Sequence, residues 1–168
     1  NAGSTEAIMI ALMHGAVSRI VLTAPYVVPS EAFLGALCSA ARRGVSIELI
    51  VDSASNKPLV QLAQQSYYDE MLAAGVRILR RTGSFLHAKH MSVDDDIVLI
   101  GSSHLDIRSF ALNAEVSVLI RDAGVAAALH RIQAGYRAGS TAVTQAERAR
   151  LSGAEEIWVA TDHAEVRA

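Results

Sequence analysis

Three short apolar runs in the first half of the chain, each preceded by a segment of helical periodicity, constrain the fold more than any other feature of the sequence. The runs are Arg19–Thr23, Val45–Val51 and Val76–Leu79, and each has the length and composition of a buried strand. Strands separated by helices join through right-handed crossovers into a parallel sheet. After residue 86 the apolar runs follow one another closely, which predicts antiparallel pairing. The sequence therefore predicts an α/β fold with a mixed β-sheet flanked by helices on both faces.

Four helical segments are predicted from their apolar periodicity and from the residues that cap or end them. They run from Ser4 or Thr5 to about Ser18, from Pro29–Ser30–Glu31 to Arg43, from the loop 52–58 to Ala74, and from about Gly124 to Tyr136. Gly44 and Gly75 follow the second and third segments, where glycine commonly ends a helix. With 51% hydrophobic residues, the chain has enough apolar content to bury a core as one domain.

The segment Phe85–Asp94, with the sequence FLHAKHMSVD, carries two basic side chains two positions apart. In an extended strand such residues share a face, so His87 and Lys89 are predicted to project side by side while His90 points the other way. An imidazole beside a fixed cation suits phosphoryl transfer. Asp94 has the opposite parity and opens an acidic turn, so we interpret it as a brace rather than a substrate contact.

Two downstream positions carry further polar side chains toward the same region. The apolar run 97–101 ends at Ser102, so a strand formed by this run would deliver the serine hydroxyl to a strand end. In the segment 113–120, alternation places Glu115 on the polar face. Its carboxylate could hydrogen-bond an imidazole nitrogen and fix the tautomer, as acidic residues do in catalytic triads.

The pattern His87-x-Lys89-x4-Asp94-x6-Gly101-Ser102 resembles the HKD signature of the phospholipase D superfamily. Glu115 falls where that superfamily places the carboxylate that orients its histidine. The resemblance implies two sets of site residues: catalytic residues His87, Lys89, Asp94 and Glu115, and phosphate-binding residues Lys89, Ser102 and His104. His104 stands where the family usually has asparagine.

The flanking sequence resembles the second catalytic half of bacterial cardiolipin synthases over about residues 5–138. The stretches that carry this likeness include Thr23–Pro29, Ala40–Val45, Ser66–Tyr68, Ala73–Val76 and Leu105–Ser109. We therefore assign residues 1–140 to a phospholipase D-like catalytic half with one HKD motif. The tail 141–168 is left unassigned, with Ile157–Ala160 as a candidate edge strand.

The resemblance implies a phosphatidyltransferase that works through a covalent phosphohistidine on a phosphatidylglycerol-like phospholipid, without a cofactor. One HKD motif leaves such a site half complete. It would be completed by a missing amino-terminal HKD half or by a second copy of the chain. Two alternatives stay open: a homodimeric endonuclease that uses the same residues, and a non-catalytic scaffold half that keeps the fold.

Charge and hydropathy limit the partners. The net charge of −2 gives no global basic field, which counts against nucleic acid. Lys89 lies between His87 and His90, which argues against a metal site there. No apolar stretch reaches the ~20 residues that span a bilayer, and the chain does not begin with methionine, so we expect a soluble fragment of a longer protein. By resemblance, that protein is expected to belong to the bacterial cell membrane.

Overall fold

The computed structural model describes residues 4–53, 58–83, 85–106, 115–146, 148, 158–161 and 164–167. The helices are α1 (Ser4–Gly15), α2 (Glu31–Arg42), α3 (Pro58–Ser66), α4 (Tyr68–Ala74) and α5 (Ala123–Ala138). The strands are β1 (Arg19–Thr23), β2 (Val27–Val28), β3 (Ser46–Asp52), β4 (Arg77–Arg81), β5 (His90–Val93), β6 (Ile97–Gly101), β7 (Leu105–Asp106), β8 (Ser117–Arg121), β9 (Ser140–Ala142), β10 (Trp158–Thr161) and β11 (Ala164–Arg167).

Seven strands form one mixed sheet in the order β8-β6-β5-β1-β3-β4-β9. The strands β1, β3 and β4 are parallel, as the helical crossovers between them predict. Strands β5, β6 and β8 add to the other side of β1 in antiparallel pairs. The short turn between β5 and β6 allows only that arrangement for these two strands. The predicted α/β class and the change of pairing after residue 86 are both confirmed.

Alternate residues of the central strands pack on opposite faces of the sheet. Ile20 and Leu22 of β1 join the large apolar cluster with α1, α2 and α4, whereas Val21 lies in a second cluster on the other face. On that second face α5 buries Ala126 and Leu129 against β6. Each large side chain that is fully buried contributes about 1.5–3 kcal/mol, so both faces of the sheet hold helices in place.

Capping residues fix several helix ends. The Ser30 hydroxyl accepts from the Phe33 N–H at 3.1 Å and caps α2, and Asp122 accepts from the Val125 N–H at 2.8 Å and caps α5. Gly75, with φ 99°, ends α4 in the left-handed conformation that glycine adopts at low cost.

Apart from the ends of elements and the segment that carries His87 and Lys89, the structure differs from the sequence prediction at two elements. The third predicted helix divides at Tyr67 into α3 and α4. The candidate edge strand near residue 158 pairs with β11 in a separate two-stranded sheet instead of extending the main sheet. Among the described helices, none combines the length and apolarity needed to cross a bilayer.

Candidate active site

One edge of the sheet gathers most of the side chains singled out from the sequence. The pairing directions place the ends of β1, β3, β4 and β6 at this edge, together with the beginnings of β5 and β8. Residues just after β6 and just before β5 and β8 therefore meet there. These positions hold Ser102, Lys89 and Glu115. Loops at the carboxyl ends of parallel strands are the common place for sites in open α/β sheets.

The segment before β5 is not part of a strand, which corrects the prediction for His87 and Lys89. Strand β5 begins at His90, whose partner Thr23 is the last residue of β1. No β1 residue is left to pair with the chain before His90. Instead, the Leu86 N–H donates to the buried Asp52 carboxylate at 2.9 Å, and this bond holds the motif segment at the end of β3.

His87 and Lys89 nevertheless lie side by side, as predicted. The Lys89 ammonium is 3.2 Å from Nε2 and 3.4 Å from Nδ1 of His87, and it donates to the His87 carbonyl at 3.0 Å. His87 is exposed and Lys89 is half-buried. Burial lowers the pKa of the Lys89 ammonium, and the Glu115 carboxylate opposes that shift. The pair thus presents an imidazole and a cation to solvent at one point.

Ser102 and Glu115 form a second polar pair at the same edge. The Ser102 hydroxyl donates to the Glu115 carboxylate and accepts from the Val116 N–H at 3.1 Å. The backbones approach closely here, since a Cβ on Gly101 would clash with the Ser117 hydroxyl and would lie 2.7 Å from the Val116 carbonyl oxygen. Glycine permits this approach. The orientation of an imidazole by Glu115 stays a prediction.

His104 brings a second imidazole to the site. Its ring stacks on Tyr26 with centroids 4.9 Å apart and meets His87 edge-on at 5.6 Å. Its Nδ1 is buried and has no hydrogen-bond partner among the described residues. Burial, then the Lys89 charge, lowers the pKa of His104, and Asp106 acts in the opposite direction. The neutral imidazole is therefore favoured near pH 7.

Asp94 lies at the opposite edge, in the turn between β5 and β6. Its carboxylate accepts from the Ser18 N–H at 2.7 Å and hydroxyl at 2.8 Å, and from the N–H groups of Val17 and Arg19 at 3.0 Å. Partial burial acts to raise the pKa of Asp94, but the bonds from Arg19, Ser18 and Val17 outweigh it and hold that pKa below its usual value. In this structure Asp94 ties the turn to the start of β1.

Three residues of the site were not predicted to have a role. Tyr26 stacks on His104, and Phe85, which is 71% exposed, stacks on His87 with centroids 5.6 Å apart. Asp52 anchors the motif segment through Leu86. Tyr26 and Phe85 lie in stretches that the sequence analysis singled out, but nothing there indicated these contacts, and the only signal for Asp52 was a carboxylate at the end of a buried strand. Within the described ranges, no group of three or more His, Cys, Asp or Glu converges as a metal site would require.

Comparison with known proteins identifies the relatives of this chain. Residues 9–134 match the family model described as cardiolipin synthase, PLD-like domain. Cardiolipin synthase A of Erwinia tasmaniensis is 38% identical over 135 residues, which is 80% of this chain and 28% of the relative. The corresponding protein of Cronobacter sakazakii is 40% identical over 124 residues, 74% of this chain and 26% of the relative. The chain thus spans little more than a quarter of these curated relatives.

Solved structures share the fold at lower identity. Nuc of Salmonella typhimurium, a phospholipase D family member, superposes with a TM-score of 0.75 at 20% identity, covering 85% of this chain and 93% of Nuc. Phosphatidylserine synthase of Haemophilus influenzae gives a TM-score of 0.68 at 19% identity, covering 84% of this chain and 38% of the synthase.

Proposed function

This chain belongs to the PLD-like domain family of the cardiolipin synthases, and on that premise we propose that it supplies one of the two HKD motifs of a phosphatidyltransferase. The observation that carries the proposal is the Lys89 ammonium lying 3.2 Å from the His87 imidazole at an exposed sheet edge. The identity of 37–40% to cardiolipin synthases supports a phospholipid as the substrate.

The chemistry follows from the charge of a phosphodiester. Its anionic oxygens repel nucleophiles, so a cation beside phosphorus and an acid at the departing alkoxide both lower the barrier. Lys89 is the cation in our proposal, because a compact ammonium suits phosphate oxygens. His87 gives a proton to the leaving alkoxide and later takes one from the incoming hydroxyl. Ser102 and His104 hydrogen-bond the same oxygens.

A second histidine has to come from outside the described residues of this chain. In-line displacement places the attacking and leaving atoms on opposite sides of phosphorus. His104 cannot be opposite His87, because the two rings are already in edge contact at 5.6 Å and leave no room for a phosphoryl group between them. We propose that the nucleophilic histidine belongs to an amino-terminal half, since the relatives are almost four times as long as the aligned region. A second copy of the chain is the other source.

The complete reaction is a two-step transfer. The nucleophilic histidine attacks the phosphorus of a phosphatidylglycerol-like lipid, a P–N bond forms, and glycerol leaves with a proton from His87. The hydroxyl of a second lipid then attacks phosphorus, the P–N bond breaks, and His87 accepts the proton. Attack by water in the second step would give hydrolysis instead. We place the whole protein at the bacterial membrane, where both substrates reside.

Two of the motif carboxylates have supporting roles in this proposal. Asp94 holds the β5–β6 turn on the start of β1, at the far edge of the sheet from His87. Glu115 holds the Ser102 hydroxyl and, through its charge, favours the protonated form of Lys89. Both act on the geometry and charge of the site rather than on the reacting atoms.

Turnover of phosphatidylglycerol by the full-length protein tests the proposal. We expect His87→Ala to lower kcat by roughly 10²–10⁴-fold, because it removes the acid and base of both steps. The matched control is His14→Ala, an exposed histidine in the last turn of α1, which should retain activity. Full activity of His87→Ala would exclude the assignment.

The two alternatives predict different results for the purified chain and for the full-length protein. An endonuclease formed by two copies of this chain would cut plasmid DNA in the presence of chelator, with activity falling steeply as salt rises. A scaffold half would bind phospholipid or a partner, and the full-length protein would form no labile histidine–phosphorus adduct.

A further inference from the structure

Tyr26 and His104 are brought together by a small parallel sheet beside the main one. Strand β2 pairs with β7 through Val27 opposite Leu105 and Val28 opposite Asp106. Tyr26 immediately precedes the first of these pairs on one strand and His104 precedes it on the other. The sheet therefore fixes the two backbones side by side, and the rings stack with an interplanar angle of 17°.

The hydroxyl of Tyr26 is also anchored. It donates to the Asp106 carboxylate at 3.0 Å, so the ring is held at its tip by a charge-assisted bond as well as at its backbone. The His104 ring then has Tyr26 against one face and His87 at 5.6 Å in an edge-on contact. Two neighbours thus fix the position of this imidazole.

We propose that Tyr26 is a positioning residue that acts through His104, holding that imidazole toward His87 and toward the phosphate of the substrate. This inference rests on the proposed function, since it assigns a purpose to the stack only if His104 contacts a phosphate. It assigns Tyr26 no contact with the reacting atoms.

The burial of His104 shows why a positioning residue is needed. Its Nδ1 is buried without a hydrogen-bond partner in the described part of the chain. A buried polar atom of this kind favours rotation of the side chain toward water. The Tyr26 stack opposes that rotation, because an offset ring pair has a preferred geometry that is lost when one ring turns. Nε2 is then the atom through which His104 would reach a phosphate oxygen.

Steady-state kinetics of the full-length protein on phosphatidylglycerol vesicles test the inference. We expect Tyr26→Leu to lower kcat/KM by about tenfold, mostly through a higher KM, because the ring that holds a phosphate-binding group is lost. Tyr26→Phe keeps the ring and loses only the hydroxyl, so it should remain within about threefold of wild type. A loss with Tyr26→Phe as large as with Tyr26→Leu would overturn the role of the stack.

A matched control removes an equivalent stack elsewhere. Tyr136 stacks on His90 with centroids 6.0 Å apart, on the face of the sheet that α5 covers. We expect Tyr136→Leu to leave KM unchanged, although it removes the same ring from a histidine neighbour. A rise in KM equal to that of Tyr26→Leu would mean that loss of any ring in this fold has this effect, and it would refute the inference.

A double-mutant cycle separates positioning from a general structural role. Asparagine at position 104 replaces the imidazole N–H by an amide N–H donor but has no ring to stack. In the His104→Asn background we expect Tyr26→Leu to change kcat/KM by less than about twofold. An equal loss in both backgrounds would refute action through His104. If Tyr26→Leu unfolds, Tyr26→Met takes its place, because methionine keeps most of the side-chain bulk and removes the ring. A loss of kcat/KM confined to the His104 background then supports the inference, and an equal loss in both backgrounds overturns it.

The outcomes also separate this inference from the proposed function. If the wild-type protein does not turn over phosphatidylglycerol, or if His87→Ala stays active, the function itself is wrong. If wild type is active and depends on His87 while Tyr26→Leu retains the wild-type kcat/KM, only the positioning role is wrong.

Discussion

Replacement of Asp94 by asparagine should destabilise the fold without removing a reacting group. The Asp94 carboxylate accepts four hydrogen bonds, three of them from the consecutive N–H groups of Val17, Ser18 and Arg19. Asparagine keeps one acceptor oxygen and puts an amide donor where the other oxygen faced an N–H. It also tolerates the left-handed backbone of this residue, with φ 49°, so backbone strain is not introduced.

The size of the loss follows from the bonds and their exposure. A hydrogen bond to a charged group contributes about 1.5–3 kcal/mol when buried. The Asp94 turn is only partly buried, so water replaces much of what is lost. We therefore expect Asp94→Asn to lower the free energy of unfolding by about 2 kcal/mol at pH 7.

The same replacement should change the pH dependence of stability. The folded-state pKa of Asp94 lies below its usual value of 3.8, so its ionised form stabilises the folded state above that pH. This contribution is lost as the pH falls through the lower, folded-state pKa. The difference in unfolding free energy between wild type and Asp94→Asn should therefore narrow below about pH 4.

Urea unfolding of the chain, followed by circular dichroism between pH 7 and pH 3, measures both effects. Asp95→Ala is the matched control: Asp95 is the next residue of the turn, and its side chain is 87% exposed in an ion pair with Arg19, so its loss should cost less than about 0.5 kcal/mol. Equal stability of Asp94→Asn and wild type, or a difference that is constant with pH, would refute the role of Asp94 as a brace.

Four other residues give predictions. Gly101→Ala places a Cβ 2.7 Å from the Val116 carbonyl oxygen and should cost about 1–3 kcal/mol in urea unfolding, whereas Gly135→Ala, in open space on α5, should stabilise by up to about 1 kcal/mol. Ser102→Ala loses the bond to the Glu115 carboxylate and should lower kcat/KM of the full-length protein by about tenfold. Burial lowers the pKa of His90 to about 4 from 6.5. Between pH 6.5 and pH 4 the unfolded state therefore binds a proton at this imidazole that the folded state does not. The free energy of unfolding is highest above pH 6.5 and declines as the pH falls toward 4. His90→Phe should flatten that decline in the same unfolding assay.

The sheet was predictable from the sequence because its strands follow local rules. Apolar runs separated by helices gave parallel strands, and closely spaced runs after residue 86 gave antiparallel ones. The break between α3 and α4 at Tyr67 was not predictable, because the apolar periodicity continues across it. Likewise, His87 and Lys89 lie outside β5 because β1, the strand that β5 pairs with, ends at Thr23. The length of a neighbouring strand cannot be deduced from the local sequence.

Contacts within the candidate site could be predicted most directly where the residues are close in sequence. His87 and Lys89 are two positions apart, so their side chains lie close together even though the segment is not the strand that was predicted. Tyr26 and His104 are brought together by the β2–β7 pairing, which is too short to leave a periodic signal. The Asp52 carboxylate accepts from the Leu86 N–H across 34 residues, and no local pattern in the sequence marks that bond. Contacts of this kind depend on tertiary structure.

If the proposed function is right, the residues that stabilise this domain differ from those that carry out its chemistry, and the two groups differ in exposure. His87 and Ser102 are exposed and contribute little to the core, so their replacement should reduce activity and leave unfolding almost unchanged. Gln133 shows the opposite behaviour: it is 1% exposed and accepts from the Ser92 hydroxyl at 2.9 Å. Gln133→Leu would leave that buried hydroxyl unpaired, at a cost of about 1–3 kcal/mol. A variant of His87 that unfolds the domain would contradict this separation, because an exposed imidazole buries little area and adds little to the free energy of folding.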